Sequence, residues 1–221
     1  MNKIIKKIGF WSAVLSLFFA LGYSVPQILS ELKIIPHPKD LFWLFLPSLF
    51  LAPAFLLTMI SFHYIAPGDL KIWTAIGWSF ALLYSISASI VYFTQLTVVL
   101  PLQLKGEIDE KHVLIFQSKS FLMAIDCLGY FFMSLSTFFA AFAFKNNNKW
   151  LYRGMLYNGL LMPVLVPAFF YPVFYYVGAL WMITFPLAMV NAAKLFRSNK
   201  AESWKQSATH EKRSIRTSMI T

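Results

Sequence analysis

Charged side chains are scarce in this chain. They make up 13% of its 221 residues, whereas a soluble domain carries roughly 25%. Hydrophobic residues reach 58% and the mean hydropathy is +0.63. The apolar residues are gathered in long runs, which excludes an ordinary soluble domain and predicts an integral membrane protein.

Cysteine and catalytic motifs are also scarce. The one cysteine, Cys127, excludes an internal disulfide bond, and no basic residue adjoins it to activate it as a nucleophile. The chain contains no HExxH, GxSxG, GxGxxG or Walker A sequence. Among the four histidines only His63 lies near an apolar run, and a bis-histidine haem needs two. We therefore expect no cofactor and no metal, and these absences favour a protein that is not an enzyme.

Six apolar runs are long enough to cross a bilayer as helices, which takes about 20 residues each. The first run continues past the Ala-Leu-Gly triplet at 20–22, so we interpret it as a retained span and not as a cleaved signal peptide. The sequence predicts an all-α integral membrane protein, a six-transmembrane-helix bundle over residues 1–196. The predicted spans lie at about 8–29, 41–63, 72–101, 120–144, 151–170 and 173–193.

The basic residues indicate the orientation of the bundle. Of the 19 lysines and arginines, 14 lie on the side of the N-terminus and 5 on the other, and cytoplasmic loops are the ones enriched in these residues. Both termini are therefore predicted to be cytoplasmic, in the cell (cytoplasmic) membrane of a prokaryote. The basic tail, 197–221, is expected to be disordered and to bind anionic lipid headgroups. Membrane contact accounts for the net charge of +10, so no nucleic acid partner is expected.

Asp126 is the only acidic residue inside any of the six runs. A carboxylate at the centre of a membrane helix costs about 3 kcal/mol, and such residues commonly mark functional sites. No lysine or arginine lies in the core of any run. The carboxyl group must therefore be protonated, hydrogen-bonded by its neighbours, hydrated or paired with a bound cation. This makes Asp126 the candidate residue for binding a proton or a small solute.

Polar residues on neighbouring spans lie at the predicted depth of Asp126. Tyr130 follows it at helical spacing, and Tyr92 and Gln95 share one face of the third span. Asp126 and Gln95 each lie about six residues, or roughly 9 Å, from the outer ends of their spans. The first span brings Tyr23 to the same leaflet. The sequence thus predicts a polar cavity whose candidate substrate-binding residues are Asp126, Tyr130, Gln95, Tyr92 and Gln27.

Three functions fit this pattern. The first is a transporter or carrier of a small solute, cationic or proton-linked, that binds Asp126. The second is a membrane enzyme acting on a lipid-like substrate, with Asp126 as general acid or base and Tyr130 assisting. The third is a non-catalytic partner or sensor subunit of a membrane complex. A purely structural role for Asp126, bonding neighbouring helices together, is the simpler alternative to a binding role.

Two local predictions concern prolines and a loop. The proline pairs at 47 and 53 and at 163 and 167 predict kinks in the second and fifth spans. The strings LAPAF at 51–55 and LVPAF at 165–169 resemble each other. Matching breaks are typical of an inverted repeat, but two independent kinks are the simpler explanation. The short apolar segment at 112–116 is predicted to lie on the membrane surface.

Overall fold

The structure is a computed structural model that describes residues 3–108, 113–117, 119–171 and 173–198. Every regular element in those residues is helical, which confirms the all-α prediction. A π-helical turn, Gln95–Val99, joins α3 to α4. The helices are α1 (Lys3–Glu31), α2 (Lys39–Ile65), α3 (Lys71–Thr94), α4 (Leu100–Lys105), α5 (Phe121–Ala141), α6 (Lys149–Gly159), α7 (Val173–Gly178) and α8 (Trp181–Arg197).

Five helical segments in the described part of the chain are long and apolar enough to cross a membrane. They correspond to five of the six predicted spans, and the third is longer than predicted. The count of six and the cytoplasmic position of both termini stay predictions, and the tail from 199 onward lies outside the described residues. The five segments are Lys3–Glu31, Lys39–Ile65, Gly68–Lys105, Phe121–Phe144 and Val173–Arg197.

The predicted fifth span differs from its expected form. In place of a kinked helix over 151–170, α6 ends at Gly159 and is followed by the 3-10 turns Met162–Val164 and Pro167–Phe169. Pro163 and Pro167 lie about one helical turn apart, and each lacks the N–H that a helix needs. Two losses within one turn leave too few backbone hydrogen bonds for the helix to continue.

The proline pair in α2 has a different effect. Pro47 and Pro53 lie six residues apart, and α2 continues through both as a helix of 27 residues. Its packing between α1 and α3 supports the turns that each proline weakens. Because only one of the two proline segments is broken, the structure does not support the matching breaks that an inverted repeat would need.

Six of the helices are arranged in a ring, each in contact with the next. α1 contacts α2, α2 contacts α3, α3 contacts α5, α5 contacts α6, α6 contacts α8, and α8 returns to α1. Aromatic side chains fill its centre. The ring of Phe55 lies 5.7 Å from that of Tyr84 and 5.5 Å from that of Phe185, and Tyr130 meets Trp181 edge-on at 5.3 Å. Edge-on and offset contacts of this kind are favourable beyond simple burial.

The two faces of α1 have the pattern expected of a helix in a lipid bilayer. Small side chains on the buried face allow neighbouring backbones to approach closely, and large apolar side chains on the opposite face fit the hydrocarbon. The buried residues are Gly9, Ser12, Ala13, Ser16, Ala20 and Ser24. The exposed stripe is Ile4, Ile8, Trp11, Leu15, Phe18, Leu21, Val25 and Ile28.

We call the end of the bundle where α1 ends and α2 begins the distal end. Asp40, in the first turn of α2, is buried there and holds the connection between the two helices. Its carboxylate accepts a hydrogen bond of 2.6 Å from the Ser30 hydroxyl and lies 3.2 Å from the His37 ring. A carboxylate is favourable at this position because the N-terminus of a helix carries partial positive charge.

Candidate functional site

Asp126 lies in the second turn of α5, close to the distal end. Ser120 caps this helix by accepting a hydrogen bond from the backbone N–H of Met123 at 3.2 Å. The cap fixes where the helix begins, and therefore which side of it Asp126 occupies. Asp126 is buried, with 8% of its surface exposed. Its depth is about 7.5 Å from the start of α5, at 1.5 Å per residue.

Tyrosines surround the Asp126 carboxyl group. Tyr23 of α1 and Tyr92 of α3 line one cavity together with Asp126. Tyr130 follows Asp126 one turn later on α5, with its hydroxyl 3.3 Å from that of Tyr92, and the ring of Tyr84 lies 6.1 Å from that of Tyr130. Within the described residues, no lysine, arginine or histidine forms an ion pair with it. The described surroundings of the carboxyl group therefore offer hydroxyl groups and no fixed cation.

A cavity of about 60 Å³ adjoins this carboxyl group. A water molecule takes up about 30 Å³ in the liquid, so the space suits a few waters or one small inorganic ion. It is far smaller than the roughly 300–1,000 Å³ of pockets that hold organic ligands. Helices α1, α2, α3 and α5 and the segment before α5 form its walls, through Tyr23, Gln27, Leu41, Leu44, Phe45, Tyr92, Phe116 and Asp126.

One polar wall of the cavity comes from α1. The hydroxyl of Tyr23 donates to Oε1 of Gln27 at 3.2 Å, and Nε2 of Gln27 donates to Oε1 of Glu31 at 3.1 Å. The three residues follow at intervals of four, so they share one face of the helix. Their side chains extend from the buried cavity to the exposed distal end of α1, where Glu31 lies.

The structure brings together three of the five candidate residues named from the sequence. Asp126, Tyr92 and Gln27 line the cavity. Tyr130 stands behind them, with its hydroxyl 3.3 Å from that of Tyr92. Gln95 is buried but does not line the cavity. Its Nε2 donates to the backbone carbonyl of Leu114 at 2.6 Å, and its Oε1 has no hydrogen-bond partner in the described chain.

The segment before α5 explains the position of Gln95. This segment was predicted to lie on the membrane surface. Its described part, 113–117, instead packs against the distal end of the bundle. His112 lies outside the described residues. Ile115 is buried, and Phe116 meets the ring of Phe45 edge-on at 5.5 Å. The side chain of Gln95 therefore holds this segment in place, and Phe116 closes one side of the cavity.

A second polar cluster, which the sequence analysis did not identify, joins α5, α6 and α8. Asn158 is fully buried; its Nδ2 donates to the Thr137 hydroxyl at 3.0 Å, and its Oδ1 accepts from the Thr184 hydroxyl at 3.1 Å. The amide oxygen and the amide nitrogen of Asn158 thus each have a hydrogen-bond partner. The only signal in the sequence was an asparagine in an apolar segment. The cluster links three helices by hydrogen bonds between their side chains.

In the described part of the chain, no three His, Cys, Asp or Glu residues form a cluster that could hold a metal ion. Cys127 is a free thiol, half-buried beside Asp126. A larger recess of about 480 Å³ lies at the end of the bundle opposite the distal end. It shares no residue with the Asp126 cavity, and Lys194 is the one charged residue among its described walls.

Comparisons with known proteins do not identify the chain. No protein family, no curated protein and no solved structure matches it. The interpretation of the site therefore rests on its own residues.

Proposed function

We propose that this protein is a carrier for a proton or a small inorganic cation, with Asp126 as the binding carboxylate. One observation carries the proposal. Asp126 is buried without a basic partner in the described chain and adjoins a cavity with room for a small ion or water. A bound cation or proton would supply the positive charge that the carboxylate lacks.

The oxygen atoms of the cavity support this class of ligand. The carboxylate of Asp126, the hydroxyls of Tyr23 and Tyr92 and the amide oxygen of Gln27 are hard donors, which suit protons and hard cations. The remaining walls are apolar, with aromatic rings at Phe45 and Phe116. An anion would meet the carboxylate and find no fixed positive charge among these residues.

The size of the cavity argues against the enzyme alternative. A lipid-like substrate needs an opening that admits an acyl chain, and about 60 Å³ is too small for one. A role as a partner subunit has no specific observation in its favour. A structural role for Asp126 does not by itself account for the cavity beside it, since side chains in protein interiors normally pack closely.

Ion flux in proteoliposomes tests the proposal. The purified chain is reconstituted, and proton uptake is followed with pyranine trapped inside while valinomycin and potassium set the membrane potential. A second set of vesicles is assayed with radiolabelled sodium. We expect flux above that of empty vesicles with at least one probe, and at least a tenfold reduction in Asp126→Asn.

Glu107→Gln is the matched control for this variant. It makes the same charge change at an exposed residue that follows α4, and it should leave flux unchanged. Both variants are first shown to elute as folded protein in detergent. Equal flux in the wild type and in Asp126→Asn for both probes would contradict the proposal, as would flux no greater than that of empty vesicles.

A further inference from the structure

The hydrogen-bonded side chains on α1 form a ladder. It consists of Tyr23, Gln27 and Glu31, joined by bonds of 3.2 and 3.1 Å. Eight residues separate its ends, which at 1.5 Å per residue is about 12 Å along the helix. Two of the three side chains line the Asp126 cavity, and the third is exposed at the distal end. The ladder therefore connects the buried carboxylate to the surface.

From this geometry we infer that the α1 ladder is the access route to Asp126, with Glu31 as the residue that first attracts the cation. The inference rests on the proposed carrier function and adds a route and a residue to it. Glu31 draws a positive ion to the mouth of the cavity. Gln27 and Tyr23 then offer oxygen atoms at successive depths along the path to Asp126.

The other walls of the cavity leave no comparable polar route among the described residues. α2 contributes only the apolar side chains of Leu41, Leu44 and Phe45, and the segment before α5 contributes Phe116. On α3, the hydroxyl of Tyr92 pairs with Tyr130, which lies deeper in the bundle, toward the central aromatic cluster. A cation that leaves water needs replacement oxygen atoms at each step, and these lie on α1.

The chemistry of the ladder separates the two candidate ions. A hydroxyl or a water molecule can accept one proton and release another, but an amide does not do so readily. A proton would therefore pass Gln27 on water molecules held in the cavity, whereas a metal cation would bind the amide oxygen directly. Removing the amide should consequently impair sodium flux more than proton flux.

Other titratable groups lie along the route. Besides the tyrosines around Asp126, they are Cys127 on α5 and, beside the end of α1, Asp40 of α2 with its neighbour His37. Asp40 is occupied by its bonds to Ser30 and His37. Glu31 is the exposed carboxylate joined to the ladder, which is why the test begins with it.

The first test measures the concentration dependence of flux in Glu31→Gln vesicles. The amide can still accept the hydrogen bond from Gln27, so the variant removes charge and little else. We expect the apparent KM to rise about two- to fivefold, which corresponds to an exposed charge interaction, while the maximal rate is retained. High ionic strength should reduce the difference from the wild type, because an exposed charge is screened. Glu107→Gln, on the loop after α4, should leave KM unchanged.

The second test interrupts the ladder below its mouth. Gln27→Leu should lower the maximal rate at least fivefold for sodium, and less for protons. Tyr23→Phe removes one hydroxyl and keeps the edge-on contact with Trp181 at 5.9 Å, so any loss is assigned to the hydroxyl. Tyr157→Phe, an exposed tyrosine on α6, is the matched control.

The outcomes distinguish this inference from the proposed function. If Asp126→Asn abolishes flux while Glu31→Gln and Gln27→Leu behave as the wild type, the carrier function stands and the α1 route is wrong. If Asp126→Asn also behaves as the wild type, the carrier function fails and the route fails with it. A rise in KM for Glu31→Gln that high salt does not reduce would likewise overturn the role of Glu31 as an attracting charge.

Discussion

The hydroxyl of Tyr92 on α3 lies 3.3 Å from the hydroxyl of Tyr130 on α5. Tyr92 also lines the cavity beside Asp126, while Tyr130 meets the rings of Tyr84 and Trp181 at the centre of the bundle. The pair therefore joins the candidate site to the aromatic core.

Replacing each member of this pair separates its two roles. Tyr92→Phe and Tyr130→Phe lose the same hydroxyl–hydroxyl bond, so each should cost a similar amount of stability, about 0.6 kcal/mol. Only Tyr92→Phe also removes a hydroxyl from the wall of the Asp126 cavity. We expect a clear loss of ion flux in Tyr92→Phe and a smaller one in Tyr130→Phe. Equal flux in the two variants would show that the Tyr92 hydroxyl has no role in the cavity.

Filling the cavity should stop flux without unfolding the protein. Leu44 lines the cavity of about 60 Å³, so part of the larger side chain in Leu44→Phe can occupy that cavity. Leu51 lies on the same helix, is 1% exposed and does not line the cavity. Leu51→Phe should therefore destabilise the protein by about 1–3 kcal/mol through overpacking. Unfolding in detergent measures stability, and greater destabilisation by Leu44→Phe than by Leu51→Phe would contradict the cavity.

The Asn158 cluster should contribute to stability and not to flux. Asn158→Leu removes two bonds between helices, worth about 0.6 kcal/mol each, so we expect a loss of about 1 kcal/mol. Asn191→Leu is the control, because the Asn191 amide donates only to the carbonyl of Leu187 in its own helix. Thermal unfolding in detergent compares them. An equal loss of stability in Asn158→Leu and Asn191→Leu would show that the bonds of Asn158 between helices do not stabilise the bundle.

Close packing between α5 and α6 should depend on a glycine. A Cβ added at Gly159 would lie 2.6 Å from the Cβ and 2.7 Å from the Cα of Phe138. The backbone there must shift, so Gly159→Ala is expected to cost about 1–3 kcal/mol. A Cβ at Gly178 would meet nothing within 4 Å, and Gly178→Ala should leave the unfolding temperature nearly unchanged. The same unfolding temperature for both variants would refute this packing.

The sequence predicted the members of the site that depend on helical spacing. Asp126, Tyr92 and Gln27 meet because each helix turns at a regular angle and has one end near the distal end. Gln95 was predicted to share that face of the third span, but its side chain bonds the backbone of Leu114. Loop paths of this kind have no period from which to predict them. Glu31 was missed because it lies beyond the predicted first span, which ended at 29, whereas α1 continues to Glu31.

The form of the fifth span was harder to predict than its position. Apolar composition identified the region 151–170 as a span, but composition does not record whether a backbone can stay helical. Pro163 and Pro167 each lack a backbone N–H, and the helix gives way to 3-10 turns there. At Pro47 and Pro53 the helix continues, supported by packing against α1 and α3.

The lack of a basic partner for Asp126 in the described chain has an electrical consequence. If the carboxylate is ionised when vacant, loading one monovalent cation or proton neutralises the site. In the proposed carrier, the loaded form would then cross the field without net charge, and the return of the vacant form would carry one negative charge. A voltage of 100 mV acts on that charge with about 2.3 kcal/mol. The resting potential of the cell would thus bear on the return half of each cycle and leave the loaded half unaffected.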